Sequence, residues 1–174
     1  SPSGNYGNNQ NKSIVLNSAN SIDLTSTSLL EANLTFQAKW DIENNYDYVQ
    51  VEVSINNGAS WIPQCGNYTN TGVSTQPADG QPLYDGIQSN WIEESISLSD
   101  YLGQQILVRF QIVTDRNVNE DGFYFDDLKI VVIDTTAGED SNELDQLVHL
   151  FPNPVKNQLS INTSLKKFQA TVYN

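Results

Sequence analysis

The feature that most constrains this chain is an unbroken alternation over residues 31–41. Ala32, Leu34, Phe36, Ala38 and Trp40 fall on one side, and Asn33, Thr35, Gln37, Lys39 and Asp41 on the other. A period of two is that of an extended strand with one buried face, and a helix cannot segregate it. The pattern returns in 48–55, where Val49, Val51, Val53 and Ile55 oppose Tyr48, Gln50, Glu52 and Ser54. Asn56-Asn57-Gly58 follows, residues that tolerate positive φ, so a tight turn leads into a short strand carrying Trp61 and Ile62. Further strands are expected at 13–17, 21–26, 91–98, 105–113 and 122–133. Helical periodicity with paired caps is missing, and only 142–149 suits a single helical turn.

About eight antiparallel strands must cover their apolar faces by pairing two sheets. The expected fold is therefore all-β, an antiparallel two-sheet β-sandwich of the jelly-roll kind, spanning 12–133. Residues 1–11, rich in Gly, Asn and Ser, suit a linker from an upstream element, and 134–145 forms an acidic, aperiodic tether. Residues 146–174 then begin a separate element. The long stretch Gly66–Asn90 is dense in Gly, Pro, Asn and Asp. It suits either a surface loop tucked onto the sheet by Tyr68, Leu83 and Tyr84, or a loop with a function or a bound ion.

Composition excludes several function classes. With 8 Lys and Arg against 21 Asp and Glu, the net charge of −13 repels phosphate backbones and argues against a nucleic-acid partner. No apolar run approaches the ~20 residues of a transmembrane segment. One cysteine, Cys65, cannot form an internal disulfide and is expected as a small buried hydrophobe. One histidine, His149, cannot build a His-rich zinc site or a two-His mechanism. Paired carboxylates such as Glu93-Glu94 carry no spacing that implies hydrolytic chemistry and suit a solvated face.

Three motifs bear on a site. Ser54-Ile-Asn56-Asn-Gly58-Ala-Ser60-Trp61 resembles the Asp-box hairpin, a structural device whose short polar side chains bond the turn backbone over a packed Trp. Asp115-Arg-Asn117-Val-Asn119-Glu-Asp121-Gly122 has oxygen side chains at alternate positions. It lacks the Gly expected at the sixth position and the flanking helices of an EF-hand, so a polar hairpin tip is the expectation. In the last strand, Asp126 shares the phase of Leu128, Ile130 and Val132, and a carboxylate on a core face needs a partner. Asp126, with Asp127 beside it and Glu43 and Asp47 flanking the Asn44-Asn45 turn, is the candidate ligand set for a structural Ca2+ ion. The alternative is that these carboxylates bond loop N–H groups. An all-oxygen set suits a hard cation and not zinc. The aromatics Tyr46, Tyr48, Trp61, Tyr68, Tyr84 and Trp91 suit either core positions or a stacking platform for polysaccharide.

Two resemblances add to this. Trp40 to Ser54, Asn57-Gly58-Ala-Ser-Trp61, Gln88-Ser-Asn-Trp91, Leu107-Val-Arg109-Phe110 and Asp121-Gly-Phe-Tyr-Phe-Asp126-Asp127-Leu128 stand in a familiar order. Together they resemble the non-catalytic β-sandwich that follows the protease domain of secreted bacterial zinc carboxypeptidases. A related pattern occurs in immune-inhibitor-A-type metalloproteases, whose accessory domain is compared with MAM domains. This resemblance implies an accessory module partnered by an upstream peptidase domain, with zinc confined to that absent catalytic domain. The tail, Leu147-Val-His-Leu-Phe151-Pro152-Asn153-Pro154-Val155 through Ile161, resembles the opening of a type IX secretion sorting domain of Bacteroidetes. It implies contact with a secretion machinery and a secreted or cell-surface bacterial protein. A carbohydrate-binding or adhesive module of a secreted bacterial protein is the competing expectation.

Overall fold

The structure, a computed structural model, describes residues 4–16, 21–135, 148–151 and 160–163. The chain divides into two compact units, Ser1–Ile133 and Asp134–Asn174. Strands run in the order β1 Asn11–Leu16, β2 Ile22–Asp23, β3 Leu29–Ile42, β4 Tyr48–Ser54, β5 Ile62–Pro63 and β6 Asn70–Thr71. They continue as β7 Pro82–Leu83, β8 Gly86–Ser97, β9 Gln105–Val113, β10 Gly122–Asp134, β11 Val148–Phe151 and β12 Ser160–Thr163. In the first unit one sheet is ordered β1-β9-β4-β5, with β2 also on β9, and a second is ordered β10-β3-β8. The division into five and three strands differs from the even split of an ideal jelly roll. The two sheets face one another across a shared core. In the second unit β11 and β12 pair antiparallel, Val148 opposite Thr163 and Phe151 opposite Ser160. The Pro-Asn-Pro core at 152–154 and residues 142–147 lie outside the described residues; of the helical turn expected at 142–149, Val148 and His149 belong instead to strand β11.

β3 alternates as its sequence requires, and Ala32, Leu34, Phe36, Ala38, Trp40 and Ile42 are all buried. They meet Val49, Val51 and Val53 from β4, Ile106, Val108 and Phe110 from β9, and Ile96 from β8. Aromatic rings fix the centre of the core. Phe110 stacks on Phe125 at 4.3 Å and meets Phe36 edge-on at 5.2 Å, while Trp40 lies against Tyr84 and Phe123.

β4 departs from alternation, because all its residues are buried. Its second face is roofed by the long loop and by the β4–β5 hairpin. Gln50 donates to the Pro82 carbonyl, Tyr48 packs on Ala78 and Leu83, and Glu52 pairs with Arg109, whose guanidinium lies 4.4 Å over Trp61. The hairpin is held as the motif implied. Ser54 Oγ accepts the Gly58 N–H at 2.8 Å, and Asn56 exchanges bonds with Ser60 through its side-chain oxygen and nitrogen.

The loop between β5 and β8 is anchored by two buried carboxylates. Glu94, fully buried, accepts the N–H groups of Asn67, Tyr68 and Ser95 and the hydroxyl of Tyr84. Asp85 accepts from Asn45 N–H, Asn70 Nδ2 and Gln76 Nε2. Leu83 and Tyr84 are buried as expected, whereas Tyr68 is 46% exposed. Two further expectations are corrected. Glu94 is no solvated surface carboxylate, and Cys65 is exposed, since the loop turns its thiol outward beside Thr69.

Residues 4–10, expected within a linker, belong to the first unit and lie along 114–122. Asp126, expected on a core face, and Asp127 beside it are both exposed. Phe123 and Phe125 pack on the core ahead of them, and Leu128 and Ile130 behind them. Those pairs are out of phase, so the strand gains one residue between them. Asp127 takes that step with φ +50° and donates its N–H to Asp126 Oδ1. A residue added in this way turns a strand's side chains to the other face, as a bulge does.

Candidate functional site

The site lies at one end of the sandwich, where β3 turns into β4 and β9 leaves its sheet for β10. The turn after Ile42 is compact, with Asp47 N–H on the Glu43 carbonyl and Asn45 at φ +66°. Asn tolerates that conformation better than most residues. Asp47 is fully buried, and its backbone carbonyl accepts Gln76 Nε2. Across the gap, the segment that follows β9 brings Asp115. One carboxylate oxygen each of Glu43, Asp47 and Asp115 lie within 4.8 Å of one another.

Protein donors satisfy this group only in part. Asp47 Oδ1 accepts the Asp115 N–H at 2.6 Å, and Asp115 accepts from the backbone and side chain of Asn117. Among the described residues, Asp47 Oδ2 and Glu43 Oε2 are buried without a hydrogen-bond partner, as is Asn119 Oδ1 in the loop that carries Asp115. None of the three carboxylates has a lysine or arginine partner among the described residues. Burial, followed by the charges of Asp115, Asp47 and Glu120, raises the Glu43 carboxyl above its ordinary range, and the Val118 backbone offsets this in part. Burial also raises the phenol of Tyr6, and the Asp47 charge adds to it, so the hydroxyl stays protonated while accepting the Glu43 N–H at 3.0 Å.

Buried oxygens lacking donors, in a site with no countercharge, are costly as they stand. Their chemistry fits a hard divalent cation, which takes six to eight oxygens from carboxylates, amide carbonyls and water. Of the residues expected as ligands, the fold brings Glu43 and Asp47 together and leaves exposed Asp126 and Asp127 outside the group. Asp115 was missed as a ligand. Its signal was the oxygen-rich spacing of 115–121, which fits neither an EF-hand nor the expected hairpin tip. The segment instead crosses from one sheet to the other, because β9 and β10 belong to different sheets.

The expected aromatic platform is dispersed. Tyr48 and Tyr84 are buried and Trp61 is covered by Arg109, while Tyr46, Tyr68 and Trp91 are roughly half exposed on three different segments.

Residues 3–148 match the family model of the immune inhibitor A-like MAM domain, and the chain belongs to that family. It is 32% identical over 136 residues to Bacillopeptidase F of Bacillus subtilis, covering 78% of this chain and 8% of that protein. It is 32% identical over 102 residues to the pre-pro-metalloprotease PrtV of Vibrio cholerae, covering 59% of this chain and 10% of that protein. It is 24% identical over 107 residues to Immune inhibitor A of Bacillus thuringiensis, covering 61% of this chain and 14% of that protein. The chain thus spans only a small part of the length of these relatives. Among the described residues, no helix is long and apolar enough to cross a membrane.

Proposed function

We propose that this chain, as a member of the immune inhibitor A-like MAM family, is a non-catalytic accessory module of a secreted bacterial peptidase, stabilised by one structural Ca2+ ion. The accessory reading is carried by the comparisons: the matched segment is a small part of relatives named as a peptidase and a metalloprotease. The sequence resemblance narrows the parent to a zinc carboxypeptidase whose zinc belongs to a separate catalytic domain. The tail's likeness to a type IX sorting domain supports export to the cell surface or medium through that machinery.

The cation reading rests on one observation, the unpartnered oxygens of Asp47 and Glu43 beside Asp115. Glu43, Asp47 and Asp115 would hold the ion, with Asn119 supplying an amide oxygen. The ion would supply positive charge where three carboxylates converge, tying the β3–β4 turn to the segment between the sheets. Such a module positions its peptidase neighbour and does no chemistry itself.

The test is unfolding of the full chain after EDTA treatment, with and without millimolar Ca2+. Binding to the folded state alone stabilises by about 2.7 kcal/mol at a hundredfold Kd. The expected result is a rise in Tm that Asp47→Asn abolishes and Asp126→Asn leaves intact. No rise with the native chain overturns the cation reading. Zinc-dependent release of C-terminal residues from peptides by the chain alone overturns the non-catalytic reading.

A further inference from the structure

The segment leading into β1 hangs on the same loop that supplies Asp115 and Asn119. Asn9 N–H donates to the Asp115 carbonyl, Asn8 Nδ2 to that of Arg116, Asn5 Nδ2 to that of Asn119 and Tyr6 N–H to that of Glu120. At the β1 end, Gln10 and Thr114 bond each other through backbone and side chain, and Thr114 Oγ1 donates to the Gly7 carbonyl. Tyr6 also reaches the site itself by accepting the Glu43 N–H. The loop is therefore shared. Its carbonyls hold residues 5–9, and its Asp115 side chain faces Glu43 and Asp47.

The two sides of the site differ in how readily they give way. Glu43 and Asp47 flank a tight turn between two sheet strands, and the Asp47 backbone is held by the Glu43 carbonyl and by Gln76 Nε2. Asp115 lies beyond the end of β9, in a segment with no strand pairing of its own. Three like charges within 4.8 Å and partly out of water repel strongly. With no cation between them, the segment carrying Asp115 is the part that can retreat. Its carbonyls would then leave the donors of residues 5–9.

We infer that cation occupancy and attachment of residues 5–10 are one coupled equilibrium, so that the segment is a calcium-dependent latch on the end of the sandwich. The inference rests on the cation site proposed above. That site stands in turn on the fully buried Asp47, whose Oδ2 has no hydrogen-bond partner among the described residues. The coupling is reciprocal: if Ca2+ tightens the latch, loosening the latch weakens Ca2+ by the same factor. Residues that touch no ion therefore become determinants of affinity.

Asn9 offers a variant that leaves every candidate ligand in place. It is exposed, its N–H bonds the Asp115 carbonyl, and its φ is +50°. Asn9→Pro removes the donor and cannot adopt that φ, whereas Asn9→Gly keeps the donor and adopts it freely. The experiment titrates Ca2+ into the EDTA-stripped full chain by calorimetry for the native, Pro and Gly forms. Hydrogen exchange of the peptide covering 4–16 is followed in the native chain with Ca2+ and with EDTA. The expected outcome is that the Pro form binds at least about fivefold more weakly, the low end of ordinary coupling, and the Gly form binds like the native chain. Chelation should also speed exchange at the Tyr6 and Asn9 amides. Native-like affinity in a folded Pro form, or exchange at 4–16 that ignores Ca2+ while the ion binds, overturns the latch and leaves the cation site standing. Failure of the native chain to bind Ca2+ overturns both. The exchange arm needs no variant, so poor folding of the Pro form does not shield the inference.

Discussion

Glu94→Gln is the most informative single change in the sandwich, because it keeps shape and removes only charge and one acceptor. The carboxylate is fully buried and accepts four hydrogen bonds, two on each oxygen. Oε1 takes the N–H groups of Asn67 and Ser95, both at 2.7 Å, and backbone donors cannot reverse. The amide nitrogen must therefore replace Oε2, facing the Tyr68 N–H and the Tyr84 hydroxyl. The hydroxyl can rotate to accept, but the Tyr68 N–H is left unpaired. Three surviving bonds drop from charge-assisted to neutral strength, about 1 kcal/mol each, and one orphaned donor costs about 1–3 kcal/mol. Burying a neutral amide in place of a carboxylate offsets part of this, leaving a net loss of about 2–4 kcal/mol. For a unit of this size that lowers Tm by about 10 °C. The assay is denaturant and thermal unfolding followed by tryptophan fluorescence, with hydrogen exchange at 66–70 as a local readout. The exposed neighbour Glu93, whose side chain accepts from Gln37 Nε2 at 3.5 Å, is the control, and Glu93→Gln should stay within about 0.5 kcal/mol. A Glu94→Gln protein as stable as that control, with amides 67 and 68 still protected, would refute the argument.

Other expectations follow from the same geometry. Gly72→Ala places a methyl 2.2 Å from the Ala78 carbonyl oxygen and 2.9 Å from Leu83 Cδ2, a backbone clash. It should destabilise by about 2 kcal/mol or more, read from the urea midpoint, and a neutral result would mean that the loop yields there. Arg109→Ala strips the cation from buried Glu52 and uncovers Trp61, with an expected loss of about 3 kcal/mol. A loss below about 1 kcal/mol would make that pair no better than a surface one. Asp23 accepts the N–H and hydroxyl of Thr25, chiefly the hydroxyl, which holds its carboxyl below its ordinary 3.8. Its folded value is depressed, so its contribution is present above that ordinary value and is lost as pH falls through the lower folded one. An NMR titration placing the Asp23 midpoint at or above 3.8 would contradict this.

Much of the architecture was legible in the sequence because period two is a local property. β3 shows its core face residue by residue, and Ser54, Asn56 and Ser60 close their turn with bonds spanning at most four positions. Glu43 and Asp47 stand out for the same reason, as carboxylates bracketing one short turn. Alternation states which residues share a face. It does not state what will cover the opposite face, so β4 looked half exposed until the 70–83 segment and Arg109 closed over it. Nor does it survive an added residue: the step at Asp127 moved Asp126 from the apparent core face to solvent, and its one mark in 122–133 is the change of phase from Phe123 and Phe125 to Leu128 and Ile130. Asp115 meets Asp47 across 68 positions, and Glu94 finds donors 26 and 27 positions away. Pairings at that range depend on how two sheets stack and which loops cross between them. The sequence by itself determined the long strands, the core face of β3 and the tight turns, since those depend on neighbours a few residues apart. Only the tertiary structure decided which carboxylates are satisfied by N–H groups and which are left with bare oxygens, because that depends on the donors the distant chain delivers.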